Sequence, residues 1–231
     1  MHPSEPTAVR ISKNKSFEIL CSHSDDCRSL GDMEGTVSPL IQVKSGIFYG
    51  VAGYGYKGNG TIFKIQSGRV SLFYNFCSKA NCADGIQPMG PLVVGKDGNF
   101  YGTTFGINGT SWATKHGTIF SITPNGKLTT LYRFCQQTNC ADGAAPAAGL
   151  VQGIDGNFYG TTTLGGTNND GTIFKITPQG VLTVLHSFSG SDGSNPVGGL
   201  IQASNHVFYG STSNGGSGNQ GTICSLDMGF R

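Results

Sequence analysis

Four glycine-rich segments contain three aromatic residues and several side-chain amides: Gly53–Asn59, Gly106–His116, Gly165–Asp170 and Gly215–Gln220. The aromatic residues are Tyr54, Tyr56 and Trp112, and Trp112 is the only tryptophan. Amide and carboxylate groups in the same set of segments come from Asn108, Asn168, Asn169, Asp170 and Asn219. Flat rings with polar edges can stack on sugar rings, while amides and carboxylates bond to hydroxyls. The segments therefore predict glycan binding, and the alternative is that the rings pack against neighbouring loops.

One of these segments also holds the residues best suited to acid–base chemistry. His116 follows Lys115, and a group of His116, Lys115 and Tyr54 could abstract a proton as a polysaccharide lyase does. Nothing in their spacing requires that reaction. The chain has no HExxH, GxSxG, P-loop or GxGxxG motif, so it favours a binding protein over an enzyme and predicts neither a cofactor nor a metal.

Three aspartates recur in register before a proline, at Asp84, Asp142 and Asp192. A repeated Asp-Gly before Pro is typical of a residue that fixes a turn. Calcium is the alternative, but one carboxylate per copy falls short of the roughly six to eight oxygens that the ion takes.

Six of the seven cysteines form pairs around equivalent loops. The predicted pairs are Cys21–Cys27, Cys77–Cys82 and Cys135–Cys140. A fourth, shorter copy of the loop lacks both cysteines, as expected for bonded partners. We therefore predict three local disulfides and an oxidising compartment. Zinc is the alternative, although one pair supplies only two of about four ligands. Cys224 remains as a free thiol buried in a strand.

Nearly the whole chain consists of four copies of one pattern. The triplet FYG begins at Phe48, Phe100, Phe158 and Phe208. One copy shows four short runs rich in β-branched and aromatic residues, here called strands a to d: Gly149–Gly153, Asn157–Thr162, Gly171–Thr177 and Val181–Phe188. Four antiparallel strands in about fifty residues make one blade of a β-propeller. The fold class predicted is all-β, with four such blades.

The N-terminus is expected to close the ring of blades. Residues 7–20 align with strands c and d of a later copy, so Phe17–Leu20 is expected to complete the last blade, leaving either Ala8–Ser12 or Thr222–Leu226 surplus. We divide the single domain 1–231 into units of about 16–68, 69–126, 127–180 and 181–231, with residues 1–15 as the closing segment. The alternative is a fragment of a longer propeller, or half of a larger ring formed by two chains.

Because adjacent strands are antiparallel, the connections alternate between two faces. The a–b turns (DGN, Asp97–Asn99 and Asp155–Asn157) and the c–d turns (TPxG) are minimal, and they define the short-turn face. The b–c and d–a loops vary in length and define the long-loop face. Functional residues favour variable loops on a rigid scaffold, so we predict the site on the long-loop face.

Composition excludes several classes of partner. The formal net charge is +2, charged residues make up 12 %, and there is no Lys/Arg run, which argues against nucleic acid and anionic membrane surfaces. No apolar run approaches the ~20 residues of a membrane span. An aromatic content of 10 % argues against disorder.

The pattern "GNFYGTT…GTIFKITPxG…DGxxPxxGLVQ" resembles a bacterial extracellular repeat, the Gloeo_Verruco repeat, over about Phe17 to Met228. The first copy departs from it at Val51–Gly58. The resemblance implies a β-propeller that is secreted or lies at the cell surface, beside neighbouring domains of a longer chain. The family has no established catalytic residues, so none are carried over.

The sequence thus favours a binding or interaction module that meets a glycan or another cell-surface ligand. An enzyme acting on extracellular polysaccharide, as a lyase or a hydrolase, and a structural spacer without a ligand are the alternatives.

Overall fold

The computed structural model describes residues 8–11, 17–21, 38–54, 58–106 and 116–230, and only the backbone of the first two ranges. Within these residues the protein is all-β, with seventeen strands. Two single-turn 3₁₀ helices interrupt the d–a loops, at Ala80–Cys82 and Thr138–Cys140.

The strands form four successive antiparallel sheets, here called blades 1 to 4. Blade 1 contains β3 (Ile41–Lys44), β4 (Ile47–Ala52), β5 (Thr61–Gln66) and β6 (Arg69–Asn75). Blade 2 contains β7 (Val93–Val94), β8 (Phe100–Thr104), β9 (Thr118–Ile122) and β10 (Leu128–Arg133). Blade 3 contains β11 (Val151–Gln152), β12 (Phe158–Thr162), β13 (Thr172–Ile176) and β14 (Leu182–Ser187). Blade 4 has three strands, β15 (Ile201–Gln202), β16 (Phe208–Ser211) and β17 (Ile223–Leu226). The order along the chain is a-b-c-d in blades 1 to 3, as predicted, and a-b-c in blade 4.

The expected closure of the ring is not what the structure shows. β2 (Phe17–Cys21) pairs with β1 (Ala8–Ile11) in a separate two-stranded sheet, and blade 4 has no fourth strand among the described residues. A strand pairs at lower entropic cost with its neighbour across a short connection than with one about two hundred residues away. The N-terminal segment therefore forms two strands where they were predicted, but they stand outside the four blades.

Strand b is the most deeply buried strand of blades 2 and 3. In β8 and β12 every residue is buried. The glycine of FYG is required here because a Cβ at Gly102 would lie 2.7 Å from Cζ of Phe120 on the adjacent strand, closer than carbon atoms can approach. The sequence FYGTT thus combines a buried strand with a close ring contact.

Blades pack face to face in chain order. The face that a blade turns toward the preceding blade is here called its leading face, and the face that it turns toward the following blade is called its trailing face. The leading face of blade 3, with Phe158 and Phe174, packs on the trailing face of blade 2, with Tyr101 and Phe134. The Tyr101 and Phe158 rings stack with their centroids 4.0 Å apart, and Phe134 meets Phe174 edge to face at 5.2 Å. Such offset and edge-to-face contacts are the favoured aromatic geometries.

The a–b turns of blades 2 and 3 are fixed by an aspartate and a tyrosine. The Asn99 amide donates to Asp97 Oδ1 at 3.1 Å, and the Tyr101 hydroxyl donates to Asp97 Oδ2 at 2.8 Å. Burial alone would raise the pKa of Asp97, but these hydrogen bonds hold it below its ordinary value. Burial and the same carboxylate raise the pKa of Tyr101 to about 12. Asp155 and Tyr159 repeat this lock in blade 3, so the two turns share one hydrogen-bonded structure.

A pair of threonines joins strands b and c in three of the blades. The Oγ1 atoms of Thr162 and Thr172 are 2.8 Å apart in blade 3, and the hydroxyl of Thr162 also donates to the Leu164 carbonyl. Blades 2 and 4 repeat the pair. Blade 1 has Ala52 in place of the first threonine, and Thr61 Oγ1 is consequently buried without a hydrogen-bond partner.

Candidate functional site

The long-loop face is built by direct hydrogen bonding between the b–c and d–a loops. Isolated bridges join the two loop types at Ile86–Gly106, Ala144–Leu164 and Ser194–Asn214. Each d–a loop also reaches back to the preceding blade, because the amide of Ala145 donates to the His116 carbonyl at 3.0 Å and that of Asn195 to the Asp170 carbonyl at 2.8 Å. These bonds confirm that both loop types share one face, and they make that face a continuous backbone network.

The recurring aspartates of the d–a loops are turn locks, as predicted. Asp142 is fully buried. Its carboxylate accepts hydrogen bonds from the Tyr132 hydroxyl at 2.7 Å and from the amides of Gln136 at 2.9 Å and Gln137 at 3.2 Å. Asp84 is held in the same way by Tyr74 and Ser78, with burial raising the pKa of Tyr74 to about 12. The carboxylate oxygens of Asp84 and Asp142 therefore stabilise the d–a loops by accepting hydrogen bonds within them.

His186 takes the place of the tyrosine in this lock. Its Nε2 lies 2.8 Å from Asp192 Oδ2, and its ring meets Phe188 edge to face at 5.0 Å, as Tyr132 meets Phe134 at 5.5 Å. His186 thus makes both contacts of the tyrosine, the hydrogen bond to the aspartate and the edge-to-face contact with the following phenylalanine. Burial of Asp192 opposes its ionisation, but hydrogen bonds from Ser189 and His186 lower its pKa.

Two predicted ligand-binding asparagines also organise their own b–c loops. Asn169 Oδ1 accepts the amide of Gly165 at 2.9 Å, and Asn219 Oδ1 accepts that of Gly215 at 2.9 Å. Both residues have positive φ, 59° and 52°, which asparagine tolerates better than most residues. Both are exposed, so the loop bond uses the oxygen and leaves the NH₂ group facing solvent.

The adjacent pair in blade 3 provides acceptors. Asn168 is exposed, and its Nδ2 donates to the Phe188 carbonyl at 3.3 Å, which leaves Oδ1 for another donor. Among the aspartates that the structure describes, Asp170 alone receives no hydrogen bond at its carboxylate. It is only partly buried. Asn168, Asn169 and Asp170 thus form a run of open donor and acceptor groups, here called the blade-3 polar loop.

The predicted aromatic residues are only partly within the described chain. Tyr54 lies in the b–c loop of blade 1 with 45 % of its surface exposed. Tyr56, Asn108, Trp112 and Lys115 fall in segments 55–57 and 107–115, outside the described residues.

His116 lies beside a disulfide. Its ring nitrogen and the sulfurs of Cys135 and Cys140 are within 4.8 Å of one another, but the two cysteines are bonded to each other and so are not thiolate ligands. Within the described chain, no hydrogen bond joins the His116 ring to Tyr54 or to a carboxylate.

Two of the three predicted disulfides are confirmed, Cys77–Cys82 and Cys135–Cys140, with Cα atoms 3.9 and 4.0 Å apart. The side chains of Cys21 and Cys27 lie outside the described residues. Cys224 is free and half-buried, and burial raises the pKa of its thiol.

A cavity of about 270 Å³ lies where the entries to strand a of blades 2, 3 and 4 converge. It is lined by small and apolar residues, among them Met89, Pro91, Ala148 and Val197. The blades approach closely there, since a Cβ at Gly90 would lie 2.1 Å from the Gly149 nitrogen. The P-x-x-G-L pattern of blades 3 and 4, which reads P-M-G-P-L in blade 2, is the sequence signal for this meeting point, and it predicts no cavity by itself. No helix in the described part of the chain is long and apolar enough to cross a membrane.

The sequence profile of the Gloeobacter/Verrucomicrobia repeat matches residues 35–229. The chain therefore belongs to this repeat family, which confirms the resemblance found in the sequence. A search of curated proteins finds no match.

Solved structures show where the fold belongs. A gluconolactonase from Xanthomonas campestris superposes with a TM-score of 0.53 at 17 % identity, covering 95 % of this chain and 64 % of that one. TolB from Acinetobacter baumannii gives a TM-score of 0.53 at 14 % identity, covering 96 % of this chain and 49 % of that one. At such identities the likeness shows a propeller-like fold alone. The chain spans about half to two thirds of the length of these structures.

Proposed function

We propose that this member of the repeat family is a glycan-binding module whose ligand rests on the long-loop face. The observation that carries the proposal is that the carboxylates of the recurring aspartates are bonded within the scaffold, whereas the blade-3 polar loop keeps groups that have no partner in the described chain. There the Asn168 oxygen, the Asn169 NH₂ group and the Asp170 carboxylate remain open to solvent.

This set of groups fits the chemistry of a sugar. Each hydroxyl of a sugar both donates and accepts a hydrogen bond, so a ligand site needs both kinds of partner on the protein. Asn169 offers a donor, while Asn168 and Asp170 offer acceptors. Asn219 presents the same open NH₂ group from blade 4. Hydrogen bonds to backbone groups hold the three asparagine side chains, so less conformational entropy is lost on binding.

Aromatic stacking would supply the apolar part of the site. Tyr54 is exposed on the same face, and Trp112, Tyr56 and Asn108 belong to b–c loops of the same set. A ring that covers one face of a sugar removes apolar C–H surface from water, while the sugar's hydroxyls stay at the ring's edge.

Binding is favoured over catalysis by the state of the carboxylates. Glycoside hydrolysis uses a pair of carboxyl groups about 5–10 Å apart. In the described part of the chain every other aspartate side chain is an acceptor in a turn or loop, which leaves Asp170 single. His116 lies beside the Cys135–Cys140 bridge, and no carboxylate of the described residues is bonded to its ring.

Two disulfides in the described chain support a place outside the reducing cytosol, and we propose that the protein is secreted or held at the cell surface. A module of this kind would present a bound glycan to other domains of the same surface protein.

A glycan array probed with the intact chain tests the proposal. We expect a polysaccharide or oligosaccharide ligand whose affinity, measured by calorimetry, falls about tenfold or more in Asp170→Asn, because a hydrogen bond to a charged acceptor contributes about 1.5–3 kcal/mol. Trp112→Ala should lower the affinity at an unchanged melting temperature.

Asp227→Asn is the matched control, since it makes the same change of charge at an exposed aspartate beyond β17, on the short-turn side. Equal losses in both variants, or no ligand on the array, would contradict the proposal. A near-ultraviolet absorbance from unsaturated product that His116→Ala abolishes would instead establish the lyase.

A further inference from the structure

The trailing face of blade 4 is an apolar sheet surface with nothing packed against it in the described chain. Ile223 is 87 % exposed and Ile201 64 %. The residues at the position of Ile223 in the other blades, Ile62, Ile119 and Ile173, are 0–3 % exposed because the next blade covers them. Blade 4 therefore presents the same surface that three internal interfaces bury.

Blade 4 also lacks the aromatic contact that the other three blades make at this interface. Tyr49, Tyr101 and Tyr159 each meet the FYG phenylalanine of the following blade, with centroids 4.0–4.7 Å apart. Tyr209 is the equivalent residue of blade 4. It is half-buried, and it has no ring partner among the described residues.

The complementary surface is open at the other end of the array. Leu40, on the leading face of blade 1, is 46 % exposed, whereas its equivalents Leu92, Leu150 and Leu200 are 4–7 % exposed. Phe48 is half-buried, unlike the other three FYG phenylalanines.

Only the inner half of the leading face of blade 1 is open. Phe63 and Ile65 on strand c are 3 % and 7 % exposed, and β2 lies beside β6 at the outer edge of the blade. The open area therefore corresponds to strands a and b of blade 1, where the trailing face of another blade would fit.

Hydrogen-bonding groups at the two ends match each other. In two internal interfaces an amide of the a–b turn donates to a glutamine of the next blade: Lys96 to Gln152 Oε1 at 3.0 Å, and Ile154 to Gln202 Oε1 at 3.2 Å. The equivalent donor in blade 4 is the amide of Ser204, and the equivalent acceptor in blade 1 is Gln42.

Gln42 is already set for this role. Its Nε2 donates to the Lys44 carbonyl at 3.2 Å, as that of Gln152 donates within its own turn. Its Oε1 receives no donor within the described chain. β1 and β2 correspond to strands c and d alone, so the N-terminal hairpin brings no a–b turn to Gln42.

A second pair repeats the match near the axis. The Thr161 hydroxyl donates to the Gly198 carbonyl of the next blade at 3.2 Å. Ser211 is the equivalent donor in blade 4 and is exposed, and the equivalent acceptor in blade 1 is the Ser38 carbonyl.

We propose that a second copy of this chain covers these surfaces, with the trailing face of blade 4 of one protomer packed on the inner leading face of blade 1 of its partner. The contact reproduces the blade-on-blade interface found three times inside the chain. It is heterologous, and two copies satisfy it twice by closing into a ring. One molecule exposes both halves of the contact, so a second copy of the chain supplies the surface that each half lacks. This inference is independent of glycan binding.

Light scattering after size-exclusion chromatography tests the assembly. We expect a mass of two chains for the wild type and one chain for Ile223→Glu and for Leu40→Glu at the same concentration. Val181→Glu is the control, because Val181 is 62 % exposed and lies at a c–d turn away from both surfaces. This variant should remain a dimer. A wild-type monomer, or a mass that grows beyond two chains with concentration, would overturn the proposal.

Mixing the two monomeric variants distinguishes a head-to-tail contact from a symmetric one. The Leu40→Glu chain retains an intact blade 4 and the Ile223→Glu chain an intact blade 1, so the mixture should regain a dimer through one good interface. A mixture that remains monomeric contradicts the contact.

A disulfide between the predicted neighbours identifies the occupant even if the glutamate variants fold poorly. Gln42→Cys and Ser204→Cys, combined in a Cys224→Ala background, place thiols at two exposed positions. Oxidation should give covalent dimers on a non-reducing gel. An internal bridge in a monomer would show that the chain closes on itself, and no bridge would show that these positions do not meet.

Discussion

The same substitution should have opposite effects on stability in two blades. Thr61 and Thr172 are equivalent residues at the start of strand c, and both are buried, at 1 % and 0 % exposure. The hydroxyl of Thr172 lies 2.8 Å from that of Thr162, but Thr61 Oγ1 has no partner because Ala52 stands across from it. Valine has nearly the shape of threonine, so Thr→Val tests the hydroxyl alone.

The magnitudes follow from the hydrogen-bonding state of each hydroxyl. A buried polar group without a partner costs about 1–3 kcal/mol, so Thr61→Val should raise the free energy of unfolding by about 1 kcal/mol or more. Thr172→Val removes a made hydrogen bond and should lower it by about 0.5–1.5 kcal/mol. For a chain of this size each kcal/mol moves the melting temperature by about 2–4 °C. The two variants should therefore melt on opposite sides of the wild type.

Calorimetric and circular-dichroism melts of the oxidised protein at neutral pH measure the two shifts, and guanidinium titrations check that the m-values agree. Ala52→Thr supplies the missing partner and should also stabilise blade 1. Because both changes relieve the same unpaired hydroxyl, their effects should not add in the double variant. If Thr61→Val and Thr172→Val shift the melting temperature in the same direction, the account of the unpaired hydroxyl is wrong.

Three further predictions concern the aspartate locks and one disulfide. Asp142→Asn should lower the free energy of unfolding by about 3 kcal/mol, because it disturbs a buried carboxylate with several donors. Asp192→Asn should lower it less, because Asp192 is more exposed. Chemical denaturation of the two variants compares the losses. Asp97 and Asp155 have folded pKa values below the ordinary 3.8. Their contribution to the free energy of unfolding is therefore complete above about pH 4 and is lost as the pH falls through the folded value. Asp155→Asn should flatten the acid limb of a curve of stability against pH, and an unchanged limb would contradict the assignment. Cys135→Ser should lower stability by about 2 kcal/mol, as expected for a small ring, and an unchanged melting temperature would show that the bridge contributes nothing.

The strand order within a blade could be predicted from the sequence because it follows from local signals. DGN and TPxG specify tight turns, and the apolar runs between them specify strands, so each blade is encoded within about fifty residues. The cysteine pairs and the aspartate locks were predictable for the same reason. Each joins residues at most ten positions apart, as Tyr132 and Asp142 are.

Ring closure could not be predicted because it depends on a competition between partners. β2 can pair with a strand c close to it in sequence or with one at the far end of the chain. The pattern of the strands is the same in both cases, so only the difference in loop entropy and packing decides. Likewise, the pattern did not reveal that Asn169 and Asn219 hold their loops, since a positive φ and a bond to a glycine amide depend on the folded backbone.

The repeats make it possible to separate scaffold from site by comparing equivalent positions within one chain. A polar side chain that recurs and is bonded in the same way, such as Asp84 with Tyr74 and Asp142 with Tyr132, stabilises the frame. A polar side chain that has no recurring bond, such as Asp170, is not needed by the frame and is available for a ligand. The same comparison applies to surfaces: Ile223 is exposed only because its blade lacks the neighbour that Ile119 and Ile173 have. Ligand and partner are therefore sought at different kinds of departure from the repeat, the first where a side chain is individual and the second where a repeated side chain lacks its repeated contact.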